Sequence, residues 1–477
     1  MTEKRAQEKV PDNNHIASHM SRFVAGTMNR FLVYFANELI PFRWPEIDAI
    51  VSLFNLSIKW REKTLKPFAI VESACEGDIR TLCSRSVLIM SAHELWCEGT
   101  TKSLLFDDMR RSPFMRMPQY AGKDRSFKVT VETFNKKTSN REKVAKIDEL
   151  TFLPFEGPID LKNPDNDFSL FEYYNREQNS DTQGDTPAEY YFGRFLCEST
   201  KRYKIYKYSL KDRKFISNTS MDPKLATIMA NIAKVNEGDF VLDPFVGSGS
   251  ILVGAADMGA LVFGSDIDYK LIYGLSRPTR PNVKKRDVDE NVLGNLIQYS
   301  MSSRFGDVIL ADASRPIYRE SFKFDSIICD PPYGIRESIE RIGTEKKDWK
   351  IPEEMLPIHF PSKIRYGLND IIADLMNFSC KTLHKGSRVV FWMPLLRNNE
   401  GETVGFVDPS HPCMQTVCSC EQVLTRHNSR ILICMEKMTD SCACRGSQEP
   451  PCKSSNNQNG DSSSNHHDFF NSIRERI

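Results

Sequence analysis

Four short apolar runs, each closing in an acid, constrain this chain more than any other feature. Phe240-Val241-Leu242-Asp243, Leu261-Val262-Phe263-Gly264-Ser265-Asp266, Val308-Ile309-Leu310-Ala311-Asp312 and Phe324-Asp325-Ser326-Ile327-Ile328-Cys329-Asp330 read as buried strands. In an open parallel sheet the carboxyl ends of such strands share one crevice. Asp243, Asp266, Asp312 and Asp330 then face it together, although each alone also fits a turn residue or a helix cap. The first run continues as Pro244-Phe245-Val246-Gly247-Ser248-Gly249, a Gly-x-Gly loop entering a helical stretch, where glycines let backbone approach a ligand. The full dinucleotide fingerprint is absent. The last run continues as Pro331-Pro332-Tyr333-Gly334; the prolines stop the strand, stiffen the loop and leave its carbonyls free to accept. Such a loop is compatible with a plain turn. It also suits a planar molecule with an exocyclic amine, the Asp330 carboxylate and Pro331 carbonyl accepting from NH₂ while Tyr333 stacks on the ring. Asp266 is placed to bond a ribose hydroxyl pair.

This order of motifs resembles the S-adenosylmethionine-dependent amino-methyltransferases of nucleic-acid bases. The longer runs Thr219 to Ala226 (TSMDPKLA), Leu242 to Val253 (LDPFVGSGSILV) and Asp330 to Ser338 (DPPYGIRES) resemble more closely the eukaryotic tRNA guanine-N2-methyltransferases acting on guanosine 10. The similarity covers most of residues 30–438, without departure inside the motifs. It implies an α/β, Rossmann-like methyltransferase domain preceded by an α+β region with a THUMP RNA-binding module. It further implies S-adenosylmethionine as cofactor, tRNA as substrate, and a small zinc-binding activator subunit without which the chain is inactive or poorly soluble. Asp330, Pro331, Pro332 and Tyr333 are then the catalytic candidates. Asp243, Phe245, Gly247 and Gly249 are candidates for the cofactor backbone, Asp266 for its ribose and Asp312 for its adenine amine. Thr219 and Ser220 are secondary candidates, as ligands of the methionine carboxylate or as helix caps.

The rest of the chain fits two domains with tails. At 477 residues and 40% hydrophobic content it can bury sizeable cores. No apolar stretch is long enough to span a bilayer and no secretory leader is evident, so a cytoplasmic protein is expected. Thirteen scattered cysteines fit reduced core residues better than a disulfide framework. Cys442, Cys444 and Cys452, with Cys413, Cys418 and Cys420 upstream, lack the paired spacing of a zinc site, and no metal is expected. Residues 1–28 and 439–477 are polar and read as disordered tails, 29–200 as the mixed α and β region, 201–218 as a linker and 219–438 as the methyltransferase domain. Pro45 to Leu56, Pro223 to Ile232 behind an Asp222 cap, and Asn369 to Leu383 read as helices. Phe31 to Phe35, Phe68 to Val71, Val87 to Met90, Phe127 to Val131, Arg388 to Met393, Val417 to Val423 and Arg430 to Met438 read as strands.

The net charge of +1 is uninformative, but bases cluster. Arg110 to Lys146 holds 11 bases against 3 acids, Lys201 to Lys214 holds 7 against 1, and Arg277 to Arg286 holds five with no acid. These are solvated loops or, beside a base-modifying site, phosphate contacts. Arg110, Arg111, Lys136, Lys137, Arg141 and Lys143 are the RNA-binding candidates. Tyr173, Tyr174, Tyr190, Tyr191 and Phe192 fit core packing or base stacking. Two other classes stay open: a DNA adenine or cytosine amino-methyltransferase, disfavoured by the lack of a recognisable DNA-reading motif, and a non-catalytic RNA-binding subunit, disfavoured by the intact acids.

Overall fold

The computed structural model describes residues 28–175, 186–319, 321–334, 337–344, 352–354, 360–398, 400, 402–404, 406 and 408–440. Residues 1–27 of the expected N-terminal tail and 441–477 of the C-terminal tail lie outside the described residues.

The amino-terminal half is built on one sheet. Its strands are β1 (Asn29–Phe35), β2 (Ile58–Trp60), β3 (Phe68–Ser73), β4 (Ile89–Gly99), β5 (Phe127–Phe134), β6 (Asn166–Tyr173) and β7 (Glu189–Glu198), in the order β2-β3-β1-β4-β7-β6-β5. Only β5 and β6 pair in parallel. Successive side chains of β1 point to opposite faces. Phe31, Val33 and Phe35 pack with Ile47, Ile50, Ile79 and Leu82 of the helices Arg43–Phe54 and Glu76–Arg85, while Leu32 meets Phe68, Ile70, Leu95 and Phe171 on the other face. Burial on both faces explains why the run is continuously apolar. The tyrosine-rich stretch resolves the same way: Tyr174, Tyr190 and Phe192 are buried core residues, and Tyr191 donates to Glu189 at 2.8 Å.

The carboxyl-terminal half adds β8 (Phe240–Asp243), β9 (Leu261–Asp266), β10 (Phe305–Leu310), β11 (Phe324–Cys329), β12 (Glu340–Ile342), β13 (Lys363–Arg365), β14 (Leu383–Arg397), β15 (Thr403–Val404), β16 (Met414–Val423) and β17 (Asn428–Lys437). The main sheet runs β10-β9-β8-β11-β14-β17-β16; β10 through β14 are parallel, and β17 and β16 close it antiparallel. From β8 the chain winds outward to β10, then returns to the other side as β11. β8 and β11 therefore flank the topological switch, the place where such sheets open a ligand crevice. β10 ends at Leu310, so Asp312 stands in the turn two residues beyond the strand rather than at its tip.

The segment 201–218 packs tightly against this second half. Ile205, Tyr208 and Phe215 join its core, and buried Arg213 donates to Ser250 Oγ at 2.8 Å. The helix Pro223–Ile232, capped by Asp222 accepting from the Lys224 N–H at 2.7 Å, lies between the halves. Its Asn231 donates to the buried Glu46 at 2.7 Å and accepts from Arg85 at 2.7 Å. Glu46 also accepts from Ser86 Oγ at 2.6 Å and from the backbone N–H groups of Val87 and Leu88. A buried acid needs this many donors, and burial still pushes its pKa up.

Candidate active site at the carboxyl ends of the central strands

The glycine loop behind β8 is shaped by backbone that only glycine adopts freely. Gly247 and Gly249 have φ of +49° and +76°. A Cβ on Gly249 would strike Val292 at 2.6 Å, whereas one on Gly247 would project into open space. The loop is held by the predicted acids. Asp266 accepts from the Gly247 N–H and the Asp268 N–H, both at 2.9 Å. Asp243 is buried and accepts from the Phe245 N–H at 3.0 Å, so it shapes the turn from beneath. Ser220 shares a 2.6 Å hydrogen bond with Ser248 of the same loop, and Thr219 donates to Glu337 at 2.8 Å. Since Asp222 caps the following helix, neither Thr219 nor Ser220 serves as its cap.

Asp312 sits at the far end of the crevice. Its oxygens accept from the Ser314 N–H at 2.9 Å and the Ile342 N–H at 2.7 Å. With Phe245, Ser265, Tyr318, Leu375 and Phe378 it lines a small, mostly apolar pocket. Flat apolar walls with one carboxylate suit a heteroaromatic ring carrying an amine.

Across the switch stands Asp330, directly after β11. Tyr333 donates to its Oδ1 at 2.5 Å and Arg430 to its Oδ2 at 3.3 Å. Arg430 comes from β17, a hundred residues away, and is itself fixed: its Nε donates to Gln422 Oε1 at 2.8 Å, and its guanidinium lies 4.0 Å from the Trp392 ring centre. Burial raises the Asp330 pKa, opposed by the Arg430 charge and the Tyr333 hydrogen bond and abetted by Glu337. Burial and the neighbouring Asp330 charge keep the Tyr333 hydroxyl protonated. Asp266 is pushed up to about 6, chiefly by burial, with Glu337 and Asp268 adding to it. Burial likewise drives Asp243 well up. The crevice thus crowds several carboxyl groups around one guanidinium, an environment that favours a cation.

The sequence singled out neither Arg430 nor Glu337. Glu337 follows the Asp-Pro-Pro-Tyr loop closely and was within reach of a local reading. Arg430 was legible only as a base in an otherwise apolar strand.

The basic candidates divide. From the helix Lys102–Arg111, Lys102 pairs with Glu149 just past the helix Asn140–Asp148, and Arg110 lies 4.6 Å from the Phe152 ring centre. Lys137 and Arg141 are exposed there, Lys136 covers Tyr174, Lys143 pairs with Glu132 at 3.7 Å, Arg110 with Asp107 at 3.1 Å, and Arg111 donates to the Asp107 carbonyl. The other two runs divide as well. Lys201 pairs with Asp257, Arg202 with Glu38, Lys214 with Asp289 and Arg286 with Glu290, while Arg280 donates to the carbonyls of Leu210, Lys211 and Arg213. These cations are spent on holding the chain's own loops.

Residues 29–201 match the family model described as Tmrp11 THUMP N-terminal domain, and 211–359 match the RMKL-like methyltransferase domain. The chain is 41% identical over 417 residues to the tRNA (guanine(10)-N(2))-methyltransferase TRMT11 of Bos taurus, covering 87% of this chain and 89% of the relative. It is 33% identical over 418 residues to the tRNA (guanine(10)-N(2))-methyltransferase of Saccharomyces cerevisiae, covering 85% and 93%. Among solved structures, TrmN from Thermus thermophilus is similar at 17% identity with a TM-score of 0.42, covering 86% of this chain and all of that one.

Proposed function

The chain belongs to the tRNA (guanine(10)-N(2))-methyltransferase family, and we propose that its crevice brings the exocyclic N2 of guanosine 10 in tRNA against a methyl donor bound along the glycine loop. One observation supports this reading: the Asp330 carboxylate and the glycine loop, open above Gly247, flank the same topological switch.

The donor of this family is S-adenosylmethionine, and the residues present fit it. A Cβ at Gly247 would meet nothing within 4 Å, so the backbone there is open to a ligand; Asp266 can accept from ribose hydroxyls, and Asp312 beside Phe245 from an adenine amine. The surplus of carboxylates favours its cationic sulfonium. When bound, it supplies an activated methyl group.

The protein's task is then positioning. The target guanine must leave any stack to enter the crevice. Asp330 and the Pro331 carbonyl accept from its two N–H groups, which raises electron density on N2. The carboxylate, made more basic by burial, is poised to take the proton that N2 sheds on gaining a substituent. Arg430 keeps Asp330 ionised and aimed, and Tyr333 steadies the other oxygen and offers its ring to the base.

We infer that the chain works with a small zinc-binding activator subunit. β10 is an edge strand, and Leu293, Ile297, Leu310 and Ile317 leave exposed apolar surface beside it. Such an edge invites a covering chain. Full activity of the purified single chain, with no second subunit, would contradict this. Action on tRNA implies a cytoplasmic location; separately, no helix among the described residues is long and apolar enough to cross a membrane.

The reaction is tested with two tRNA transcripts, one carrying guanosine at position 10 and one carrying inosine, which lacks the N2 amine. Nucleoside mass spectrometry should detect N2-methylguanosine in the first and no methylation at position 10 in the second. Equal methylation of both would overturn the assignment of N2.

A further inference from the structure

At the opposite end of the main sheet from the crevice, a second group of reactive side chains is gathered. Cys380 stands near the end of the helix Leu368–Thr382, Cys413 directly precedes β16, and His411 begins the turn between them. One ligand atom from each lies within 4.8 Å of the other two. The place is fixed by backbone: the Met414 N–H bonds the His411 carbonyl at 3.0 Å, and the Met438 N–H, just past β17, bonds the Cys413 carbonyl at 2.9 Å. Both cysteines are buried, and neither is in a disulfide.

We propose that Cys380, His411 and Cys413 bind one zinc ion, which staples the end of this helix to the start of β16. Zinc bonds thiolate sulfur at about 2.3 Å and imidazole nitrogen at about 2.0–2.1 Å in tetrahedral geometry, so its ligand atoms stand roughly 3.5–4 Å apart. The ligand atoms, within 4.8 Å of one another, would draw together to that spacing on binding the ion. The charges fit as well, because two thiolates neutralise the dication and leave an uncharged unit in a buried place. His411 is half-buried, leaving the fourth position to water. The ligand spacing in sequence concealed the site, since Cys380 lies far upstream in a helix.

Zinc is counted per chain in the full-length protein, purified with its partner, for the wild type and for Cys380→Ala and Cys413→Ala. Each variant should lose one zinc per chain, whereas replacing the exposed Cys75 with Ala should lose none. Equal zinc in wild type and both ligand variants would overturn the proposal. Should the variants misfold, the wild type alone decides. A chelator should expose Cys380 and Cys413 to alkylation, mapped by peptide mass spectrometry, and unchanged labelling of both would overturn it.

Discussion

Asp266 and Asp330 show how one kind of side chain is tuned to different tasks by its surroundings. Burial sets the Asp266 pKa at about 6, above the ordinary carboxylate range. A raised folded-state pKa favours folding below the ordinary value, an advantage lost as pH rises through about 6. Cofactor binding runs the other way, because only the ionised form accepts from both ribose hydroxyls. Affinity for S-adenosylmethionine should therefore tighten as pH rises through about 6, and Asp266→Asn should flatten that dependence in calorimetric titrations. An unchanged profile would separate Asp266 from the cofactor. At Asp330 the same burial is opposed by Arg430. Arg430→Met should move the acid limb of the single-turnover rate to higher pH, with Arg430→Lys recovering part of the shift. A uniform loss at every pH would mean that Arg430 only packs. Asp330 stands out as a candidate in the sequence because Pro331, Pro332 and Tyr333 follow it directly. Its regulator does not, because Arg430 reaches it from β17 through pairing that no local pattern records.

Among the elements, the helix Pro223–Ile232 does the most joining. Its cap and apolar spacing were readable, as were most strands, since hydrophobic period and capping chemistry are local. What the period did not disclose is that Asn231, on a helix buried at every position but Lys224, completes the hydrogen bonding of Glu46 and Arg85 from the other half. Asn231→Leu should strand both groups and cost about 1–3 kcal/mol of stability, since an unpaired buried polar group keeps its full desolvation penalty. Denaturant unfolding of the two proteins measures this, and an unshifted midpoint would mean that water or a neighbour replaces the amide. The segment 201–218 makes the same point about charge: its basic composition suggested an exposed run, yet Arg213 is buried and Lys201 and Arg202 are paired.

The whole molecule sets a THUMP-domain half beside a methyltransferase half, with the crevice opening at the switch between β8 and β11. In the first basic run Lys137 and Arg141 are exposed, and we propose that this run contacts phosphates. Replacing Lys136, Lys137, Arg141 and Lys143 with Ala should weaken tRNA binding and flatten its salt dependence while sparing cofactor affinity. An unchanged salt slope would assign the run to plain solvation. The central claim is that Asp330 accepts from the target amine. It is tested most directly by single-turnover methyl transfer to tRNA, at saturating tRNA and S-adenosylmethionine, comparing the wild type with a folded Asp330→Ala protein. By analogy with loss of a preorganised oxyanion-hole donor, the rate should fall roughly 10²–10³-fold with tRNA binding intact; transfer near the wild-type rate would contradict the account.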